Sequence, residues 1–466
     1  MERTGGLGIE SCRGIRTLRP RYSVKLFSKR LAAVFQSPFF RGSFTYLSGS
    51  VLNSALPLLV VPVLTRYLSP ADYGFVATST VLTQILVVFI GLNAYGLVAR
   101  AHFDDDPAGL RRLVSTCVLL SLAVTALLLG LSFLLGGPVA RLTQFPAAWL
   151  PGVILIALAT VFQGLYLGLV QARSEPLRYI LIQTIGGVLN LGLSLLFVVQ
   201  LGMDWRGRMW AQVLALAAVA LFCLHGLIFR LGLLRPAFDR PASRQLMAFG
   251  VPLIPHVIGG WVMTMAARLF LNNMASVSDT GLYGLAFNLT SPLAMLLGAA
   301  HNAYIPVLYQ YLSGKDGCDK VRLCRILLAV TAALPVLAFA CAVAVRWVLP
   351  WIVGPRFYGA AAFVAWMTLT YAVQGIYFIF GTFVVYSKRT SLMTWRADFL
   401  GGAVLLIACP LLIRLNGPLG AAQAVCLAFA ASTLGCITAA QQACPMPWGQ
   451  ALRSFLPTGP QMLKML

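Results

Sequence analysis

The sequence predicts an all-α, polytopic membrane protein with about twelve transmembrane helices, and three observations support this fold class. Hydrophobic residues make up 59% of the 466-residue chain and charged residues only 10%, whereas soluble domains average about 25% charged residues. The mean hydropathy is +0.83. The apolar residues gather in runs near the roughly 20 residues that a helix needs to cross a bilayer.

Each predicted transmembrane span is one of these apolar runs. Some runs, such as the eighth, are long enough to tilt in the bilayer or to project beyond it. The predicted spans cover residues 43–65, 74–99, 113–136, 147–170, 179–201, 209–231, 246–271, 282–311, 325–352, 358–386, 391–413 and 417–440.

The distribution of Lys and Arg predicts the orientation. Most of the 35 basic residues lie in the two tails or in the loops that follow even-numbered spans. Cytoplasmic segments carry such an excess, so both termini are expected in the cytoplasm, which agrees with an even number of spans. A net charge of +22 would suggest nucleic acid in a soluble chain. Here the membrane explains the charge, and no nucleic-acid partner is expected.

Residues 1–42 are basic and contain no long apolar run, so they do not form a signal peptide. The segment Val24–Phe40 could lie on the membrane surface as a basic amphipathic helix. A tail without fixed structure, or a start site chosen too early, would explain the same composition. The sequence leaves these three interpretations open.

Short motifs recur in the two halves of the chain at an offset of about 210 residues, which equals six spans. Because six is an even number, both copies have the same orientation. We therefore predict two six-helix lobes related by a parallel two-fold repeat. The recurring motifs are Tyr73-Gly74 with Tyr283-Gly284, Asn93-Ala94-Tyr95 with Asn302-Ala303-Tyr304, Gln163-Gly164-Leu165-Tyr166 with Gln374-Gly375-Ile376-Tyr377, and Ala211-Gln212 with Ala422-Gln423.

This repeat predicts how the chain is divided. Two helical bundles that enclose a cavity are typical of transporters, in which the bundles rock to expose the cavity to alternate sides. The predicted segments are a basic cytoplasmic tail (1–42), an N-lobe (43–231), a cytoplasmic linker (232–245), a C-lobe (246–440) and a cytoplasmic C-terminal tail (441–466).

The chemistry-bearing residue types form no pattern of an enzyme or a metal site. The ten cysteines include no CxxC pair, and most lie inside apolar runs. The four histidines show no metal-ligand spacing. A Walker phosphate-binding loop and a nucleophile–base constellation are also missing from the sequence. We therefore expect a protein that is not an enzyme and that needs no cofactor.

Two stretches of the chain resemble the polysaccharide exporter and O-antigen flippase family. The stretch LTRYLSPADYG, which opens Leu64–Arg100, has the form R-x-L-S-P-x-x-Y-G found between the first two helices of that family. The stretch Met247–Leu289 resembles the family's seventh and eighth helices. The resemblance covers residues 43–440.

The resemblance implies a member of the multidrug/oligosaccharidyl-lipid/polysaccharide superfamily. Such a protein would flip a lipid-diphosphate-linked oligosaccharide across the bacterial cytoplasmic (inner) membrane. We expect a monomer whose partners are this lipid-linked oligosaccharide, membrane lipid and polysaccharide assembly proteins. One position departs from the family: Ala267 stands where an acid often precedes the arginine of helix seven, so ion coupling through that acid is not expected here.

Arg268 is the leading candidate for binding the diphosphate. A planar guanidinium donates two hydrogen bonds at once to a phosphate group. A charge at the centre of a membrane helix costs roughly 2.5–3.5 kcal/mol or more, which favours a function. At about 100° per residue, Trp261 and Thr264 share the face of Arg268, and a sugar could stack on Trp261. The alternative is that Arg268 snorkels to the headgroups.

Further polar residues in the spans could line the same substrate path. Asn288, Ser291 and Asn302 fall on one face of span eight, where they would face a cavity or another helix. Arg100 matches a basic position common in the family. It could contact phosphate near the cytoplasmic mouth or anchor the inner leaflet.

Span eleven contains Arg396 and Asp398. Asp398 is the only acid inside an apolar run, so it is the candidate for ion coupling, and Arg396 is a further candidate for substrate binding. Residues two apart on a helix do not face each other, so the two are not expected to pair. Pairing with another helix would give either residue a structural role.

Two other functions are open to a membrane protein of this composition. A drug/cation antiporter of the same superfamily would need acids in its cavity, whereas this chain has one intramembrane acid and several arginines. A membrane enzyme such as a polysaccharide polymerase or ligase usually carries a large extracytoplasmic loop, and the predicted outer loops here are short. The sequence therefore favours an anionic substrate.

Overall fold

The structure is a computed structural model in which residues 60–104, 106–234, 238–312, 320–387 and 394–453 are described. These residues form helices and connecting turns, with no β-strand among them, and the all-α prediction is confirmed. The basic tail with its segment Val24–Phe40, most of the first predicted span and residues 454–466 lie outside the described residues.

The first half of the described chain is a series of helices joined by short turns. They are α1 (60–67), α2 (Pro70–Gly91), α3 (Ala94–Ala101), α4 (Pro107–Thr143), α5 (Leu150–Ala172), α6 (Pro176–Ser194) and α7 (Trp205–His225). Helices α6 and α7 each continue into a π-helical turn, Leu195–Gln200 and Gly226–Arg230.

The second half of the described chain is also a series of helices. Its helices are α8 (Arg240–Met274), α9 (Val277–Leu312), α10 (Lys320–Ile352), α11 (Ala361–Tyr386), α12 (Phe399–Asn416), α13 (Leu419–Ala443) and the short α14 (Trp448–Arg453). A π-helical turn, Thr394–Asp398, precedes α12.

Ten helices of the described part of the chain are long and apolar enough to cross a membrane. Helix α8 adds an eleventh if its two segments, which meet at 43° beside Pro255, count as one bent span. Only residues 60–65 of the first predicted span are described, so the predicted number of about twelve agrees with the structure.

Helices α2 and α9 begin in the same way. Ser69 caps α2 by accepting from the Asp72 backbone, and the Asp72 carboxylate accepts in return from the Ser69 backbone at 2.9 Å. Ser276 and Asp279 make the corresponding contact at the start of α9, with 3.0 Å from the Asp279 backbone nitrogen to the serine hydroxyl. Such caps satisfy backbone donors at a helix start.

The predicted span 74–99 is not one continuous helix. Leu92 and Asn93 adopt left-handed conformations, with φ of 45° and 53°, and they separate α2 from α3. Helix α8 packs directly against this break, because a Cβ on Gly250 would lie 2.3 Å from the Leu92 carbonyl oxygen. A glycine is therefore required at the contact.

Buried apolar side chains form separate hydrophobic cores, and α8 contributes to two of them. The first part of α8 contributes Ala242 and Leu246 to a core built from residues 90–246. The second part contributes Met263 and Leu271 to a core built mainly from residues 263–428. Helix α8 thus packs first with the N-terminal helices and then with the C-terminal ones. The two-lobe division and its parallel repeat remain predictions.

Candidate functional site

A cavity of about 170 Å³, here called the arginine cavity, lies between helices of the two halves of the chain. Helices α1, α2 and α7 line it on one side, and α8 and α9 line it on the other. In the predicted orientation it lies in the outer half of the membrane. The lining residues with polar side chains are Tyr73, Thr80, Gln84, Arg208, Gln212, Arg268 and Asn288.

Arg268 reaches this cavity from α8. Its side chain is only 3% exposed, so the snorkelling interpretation, which needs a guanidinium in the headgroups, is wrong. The guanidinium carbon lies 4.6 Å from the centre of the Phe287 ring, and Nη1 lies 3.4 Å from the Met265 sulfur. Its Nε is buried without a hydrogen-bond partner. The ring stabilises the cation through a cation–π interaction and leaves donors available.

Arg208 reaches the same cavity from the first turn of α7. Its Nη1 donates to the side-chain oxygen of Asn190 and, at 2.5 Å, to the hydroxyl of Ser194, both on α6. Its Nε is also buried and has no partner. Tyr73 lines the same cavity as both arginines. The uncharged partners on α6 position Arg208 without neutralising it.

Sequence reasoning missed Arg208. The sixth span was predicted to start at residue 209, which left Arg208 in an outer loop, whereas α7 begins at Trp205. The residue then counted only as one more basic loop residue. Its neighbour Arg206 is exposed, so composition near a helix end does not distinguish the two. Only the packing of α6 on α7 shows which arginine faces inward.

The arginine cavity carries net positive charge. No Asp or Glu is among the described residues that line it. In the described part of the chain, ion pairs join Arg112, Arg178 and Arg230 to acidic residues outside this cavity. Neither cavity arginine takes part in one. Burial of an unpaired cation is costly, so an anion that enters this cavity gains both attraction and hydrogen bonds.

A second cavity of about 350 Å³, here called the central cavity, adjoins the first, since Gln84 lines both. Its lining includes Trp261, Thr264 and Asp398. The Trp261 indole donates to the Val81 carbonyl at 3.1 Å, which fixes the ring across the α2–α8 contact. This cavity combines an aromatic face with amide, hydroxyl and carboxylate groups.

The structure brings five of the nine sequence-predicted site residues to these two cavities and leaves four outside them. Arg268 and Asn288 line the arginine cavity, and Asn288 donates to the Tyr73 hydroxyl at 2.8 Å. Trp261, Thr264 and Asp398 line the central cavity. The residues that line neither cavity are Ser291, which donates to the Asn288 carbonyl, exposed Asn302, exposed Arg100 and partly buried Arg396.

The outer ends of the two halves are in close backbone contact. A Cβ on Gly281 of α9 would lie 1.9 Å from the Pro70 carbonyl oxygen, and one on Gly74 of α2 would lie 2.0 Å from the Val277 carbonyl oxygen. We call these four residues the outer gate. Beside it, the buried Asn272 donates to the Thr78 hydroxyl at 2.7 Å and to the Thr143 carbonyl at 2.8 Å.

The helical bundle and its cavities define an integral membrane protein with the architecture of known transporters. The lipid II flippase MurJ in an inward closed conformation has a TM-score of 0.69 at 10% identity, covering 89% of each chain. A multidrug resistance MATE family transporter of the MOP superfamily, in an inward-facing conformation, has a TM-score of 0.61 at 13% identity, covering 87% of this chain and 96% of that one. These likenesses concern the fold.

Sequence comparison identifies the family. The chain belongs to the polysaccharide biosynthesis protein family, whose model matches residues 39–312. An uncharacterized membrane protein of Haemophilus influenzae is 24% identical over 356 residues, which cover 75% of this chain and 84% of that protein. The predicted resemblance to a polysaccharide-related family is thereby confirmed.

Proposed function

We propose that this protein flips a polyprenyl-diphosphate-linked oligosaccharide across the cytoplasmic membrane by alternating access, for the synthesis of a surface polysaccharide. The observation that carries the proposal is the arginine cavity, where Arg208 and Arg268 come from opposite halves of the chain and no described acid lines the walls. A diphosphate offers several anionic oxygens, which two guanidinium groups can bind together.

The central cavity suits the sugar part of this substrate. Trp261 offers an aromatic face on which a sugar ring can stack, and Thr264 and Gln84 offer hydrogen-bonding groups around it. Because the two cavities share Gln84, a diphosphate at the arginines would place the attached glycan in the central cavity. The apolar tail would stay in lipid.

Further predicted site residues keep secondary roles in the proposal. Arg100 lies at the cytoplasmic end of the N-terminal half in the predicted orientation, where it would attract the diphosphate before entry. Arg396 would act in the same way from the C-terminal half. Asn302 and Ser291 belong to the same face of α9 as Asn288 and would line the path when the halves move. Asp398, a carboxylate in the central cavity, is the proposed ion-coupling residue.

The outer gate supplies a physical basis for alternating access. Backbone-to-backbone contacts depend on glycine at two positions, so the halves can separate there without unpacking large side chains. Opening at this end would release the head group to the outer face, with both termini cytoplasmic. A monomer suffices for this cycle. Polysaccharide assembly proteins would take the product.

A drug/cation antiporter is the alternative, favoured by one observation: Asp398 lines the central cavity, and a carboxylate there could bind a cation. The paired arginines oppose this function, because they would repel a cationic drug at the adjoining cavity. Drug-sensitivity profiles of a deletion strain distinguish the two functions, since an antiporter protects against cationic drugs and a flippase does not.

The proposal is tested in a deletion strain complemented with variants at matched expression. We expect loss of surface polysaccharide and accumulation of lipid-linked precursor on the inner leaflet, with rescue by the wild type. Arg208→Ala and Arg268→Ala should fail to rescue. Arg206→Ala should rescue, because it removes an exposed arginine two residues from Arg208. Normal surface polymer without trapped precursor in the deletion strain would refute the proposal.

A further inference from the structure

A third cavity, of about 320 Å³, lies between α2, α3, α5 and α6 of the first half and is here called the Asn93 cavity. Its volume falls within the roughly 300–1,000 Å³ that is usual for small-molecule sites. Val87 and Gly91 of α2 line it, whereas Gln84 and Val88 line the central cavity. At about 100° per residue, these four positions share one face of α2. The two cavities therefore follow one another along α2, and the Asn93 cavity is nearer the predicted cytoplasmic side.

The polar groups that line the Asn93 cavity carry no charge. Asn93 and Gln171 contribute amides, Thr160 contributes a hydroxyl, and Tyr95 and Tyr179 contribute phenol rings. No Asp, Glu, Lys, Arg or His is among the described residues that line this space. Amides and hydroxyls beside aromatic rings suit an uncharged sugar, since its ring can stack and its hydroxyl groups can form hydrogen bonds.

Asn93 and Thr160 offer complementary hydrogen-bonding groups to a ligand. The Asn93 Nδ2 is buried and meets no hydrogen-bond partner in the described part of the chain, which is costly for a donor. The Thr160 hydroxyl donates to the Ile156 carbonyl at 2.8 Å, so its oxygen is left as an acceptor. A sugar hydroxyl group both donates and accepts, so it can satisfy either residue.

The second half of the chain repeats the motifs of this region without the same space. Asn302, the counterpart of Asn93, lies inside the continuous helix α9, whereas Asn93 follows a break. A Cβ on Gly375 would lie 3.1 Å from the Leu334 side chain, but one on its counterpart Gly164 would meet no atom within 4 Å. The space beside Gly164 is therefore not a by-product of the repeated motif.

The walls of the Asn93 cavity belong to the interior of the protein. Helix α5 contributes more of the lining residues than any other helix, and 67% of the residues in its apolar segment are buried. The α2 wall continues the face that lines the central cavity. This position favours a group that arrives through the central cavity over the headgroup of a surrounding membrane lipid.

We propose that the Asn93 cavity binds an uncharged sugar unit in the outer part of the glycan, while the diphosphate occupies the arginine cavity. This inference rests on the proposed function and deepens it. The seven residues from Gln84 to Gly91 span roughly 10 Å of helix. A glycan of a few sugar units that starts in the central cavity can therefore reach the Asn93 cavity.

Such a site would select among glycans. A sugar that carries a carboxylate would lose its hydration in the Asn93 cavity without meeting a cation among the described lining residues, which is unfavourable. A neutral sugar meets hydrogen-bonding groups instead. The arginine cavity would thus recognise the diphosphate common to lipid-linked precursors, and the Asn93 cavity would recognise the particular glycan.

The test measures how tightly purified full-length protein in lipid nanodiscs binds three lipids. They are the lipid-linked precursor extracted from the deletion strain, the same precursor trimmed enzymatically to the sugar next to the diphosphate, and polyprenyl diphosphate without a glycan. Gly164→Trp fills the Asn93 cavity, because Gly164 lines it and faces open space. Asn93→Gly removes the amide and keeps the left-handed backbone, which glycine adopts without strain.

We expect Asn93→Gly to weaken binding of the complete precursor about 2- to 10-fold, the usual net value of one hydrogen bond, and Gly164→Trp to weaken it at least as much. Both variants should match the wild type for the trimmed precursor and for the bare diphosphate, which also shows that they are folded. Gly192→Trp is the matched control. Gly192 is exposed on α6, a Cβ there meets no atom within 4 Å, and it lines none of the three cavities.

Equal affinity of the wild type, Asn93→Gly and Gly164→Trp for the complete precursor would overturn the sugar site and leave the flippase proposal standing. Native mass spectrometry that finds a membrane lipid retained by the wild type and lost from Gly164→Trp would also overturn it, because the occupant would then be lipid. A wild type that binds neither the precursor nor the bare diphosphate would refute the flippase proposal and this site with it.

Discussion

Arg208 and Arg268 line one cavity although they lie in different halves of the chain, on α7 and α8. Each has a buried Nε without a hydrogen-bond partner, and neither is among the ion pairs of the described residues. An anion bound between them would contact both halves at once. Its arrival would therefore affect both the charge in the cavity and the relative position of the two halves.

The ring under Arg268 should contribute to anion binding. Phe287→Leu removes the cation–π interaction, worth about 0.5–2 kcal/mol, while it keeps an apolar side chain of similar reach. We expect affinity for polyprenyl diphosphate to fall several-fold, because Arg268 loses its fixed orientation. Phe287→Tyr, which keeps a ring, should bind like the wild type. Titration of purified protein checks both variants, and equal affinity of Phe287→Leu would contradict the role of the ring.

The outer gate should open when a methyl group is added at Gly281. A Cβ there would lie 1.9 Å from the Pro70 carbonyl oxygen, so Gly281→Ala must separate α2 from α9. We expect a cysteine introduced at Thr80, in the arginine cavity, to react faster with an impermeant maleimide added outside. Gly298→Ala is the control on the same helix, since its Cβ would meet no atom within 4 Å. Unchanged labelling in Gly281→Ala would contradict the gate.

Asn272 and Thr78 should be coupled in stability. Their hydrogen bond of 2.7 Å joins α8 to α2 in buried surroundings. A double-mutant cycle with Asn272→Ala and Thr78→Ala should give a coupling of about 0.5–1.5 kcal/mol, the usual net value of one hydrogen bond. Thermal unfolding in detergent measures the four proteins. Additive effects would show that this hydrogen bond contributes no stability to the contact between α8 and α2.

The exposed ion pair between Arg112 and Asp239 should matter little. Its nitrogen–oxygen distance is 3.2 Å, but the Arg112 side chain is 58% exposed. Solvent screens such pairs, which contribute about 0–1 kcal/mol. Arg112→Ala should therefore change the unfolding midpoint only slightly and leave polysaccharide export intact. A large loss of export would instead point to a role of this linker contact in transport.

Much of the fold could be predicted because hydrophobic length is a local property of the chain. The runs of apolar residues predicted the membrane helices well. The extra turn at Trp205 accompanies packing of its ring against Phe75, Phe145 and Trp149, which composition does not encode. The break at Leu92–Asn93 was also missed. Gly91 and Gly96 flank the break, but isolated glycines are tolerated within a helix and do not by themselves predict its end. The contact of Leu92 with Gly250 of α8 exists only in the packed structure.

Part of the candidate site could also be predicted, because a shared helical face is a local property of the sequence. Arg268, Trp261 and Thr264 share a helical face, and periodicity detects such a relationship. Arg208 joins them only through tertiary packing of α6 and α7. Ser291 and Asn302 were predicted from the helical face they share with Asn288, Arg100 from its match to a basic position of the family, and Arg396 from its charge within an apolar run. None of these signals determines which cavity, if any, a side chain reaches. Their functional roles remain predictions.

The most direct test of the arginine cavity is the affinity of the purified protein for polyprenyl diphosphate, compared with the uncharged polyprenol, in lipid nanodiscs. We expect the diphosphate to bind much more tightly, and we expect Arg208→Ala and Arg268→Ala each to lose about 1.5–3 kcal/mol of binding free energy, the usual value of hydrogen bonds to charged groups. Arg206→Ala should bind like the wild type. Equal affinity for the two lipids, or no loss in either cavity variant, would contradict binding of the diphosphate by Arg208 and Arg268.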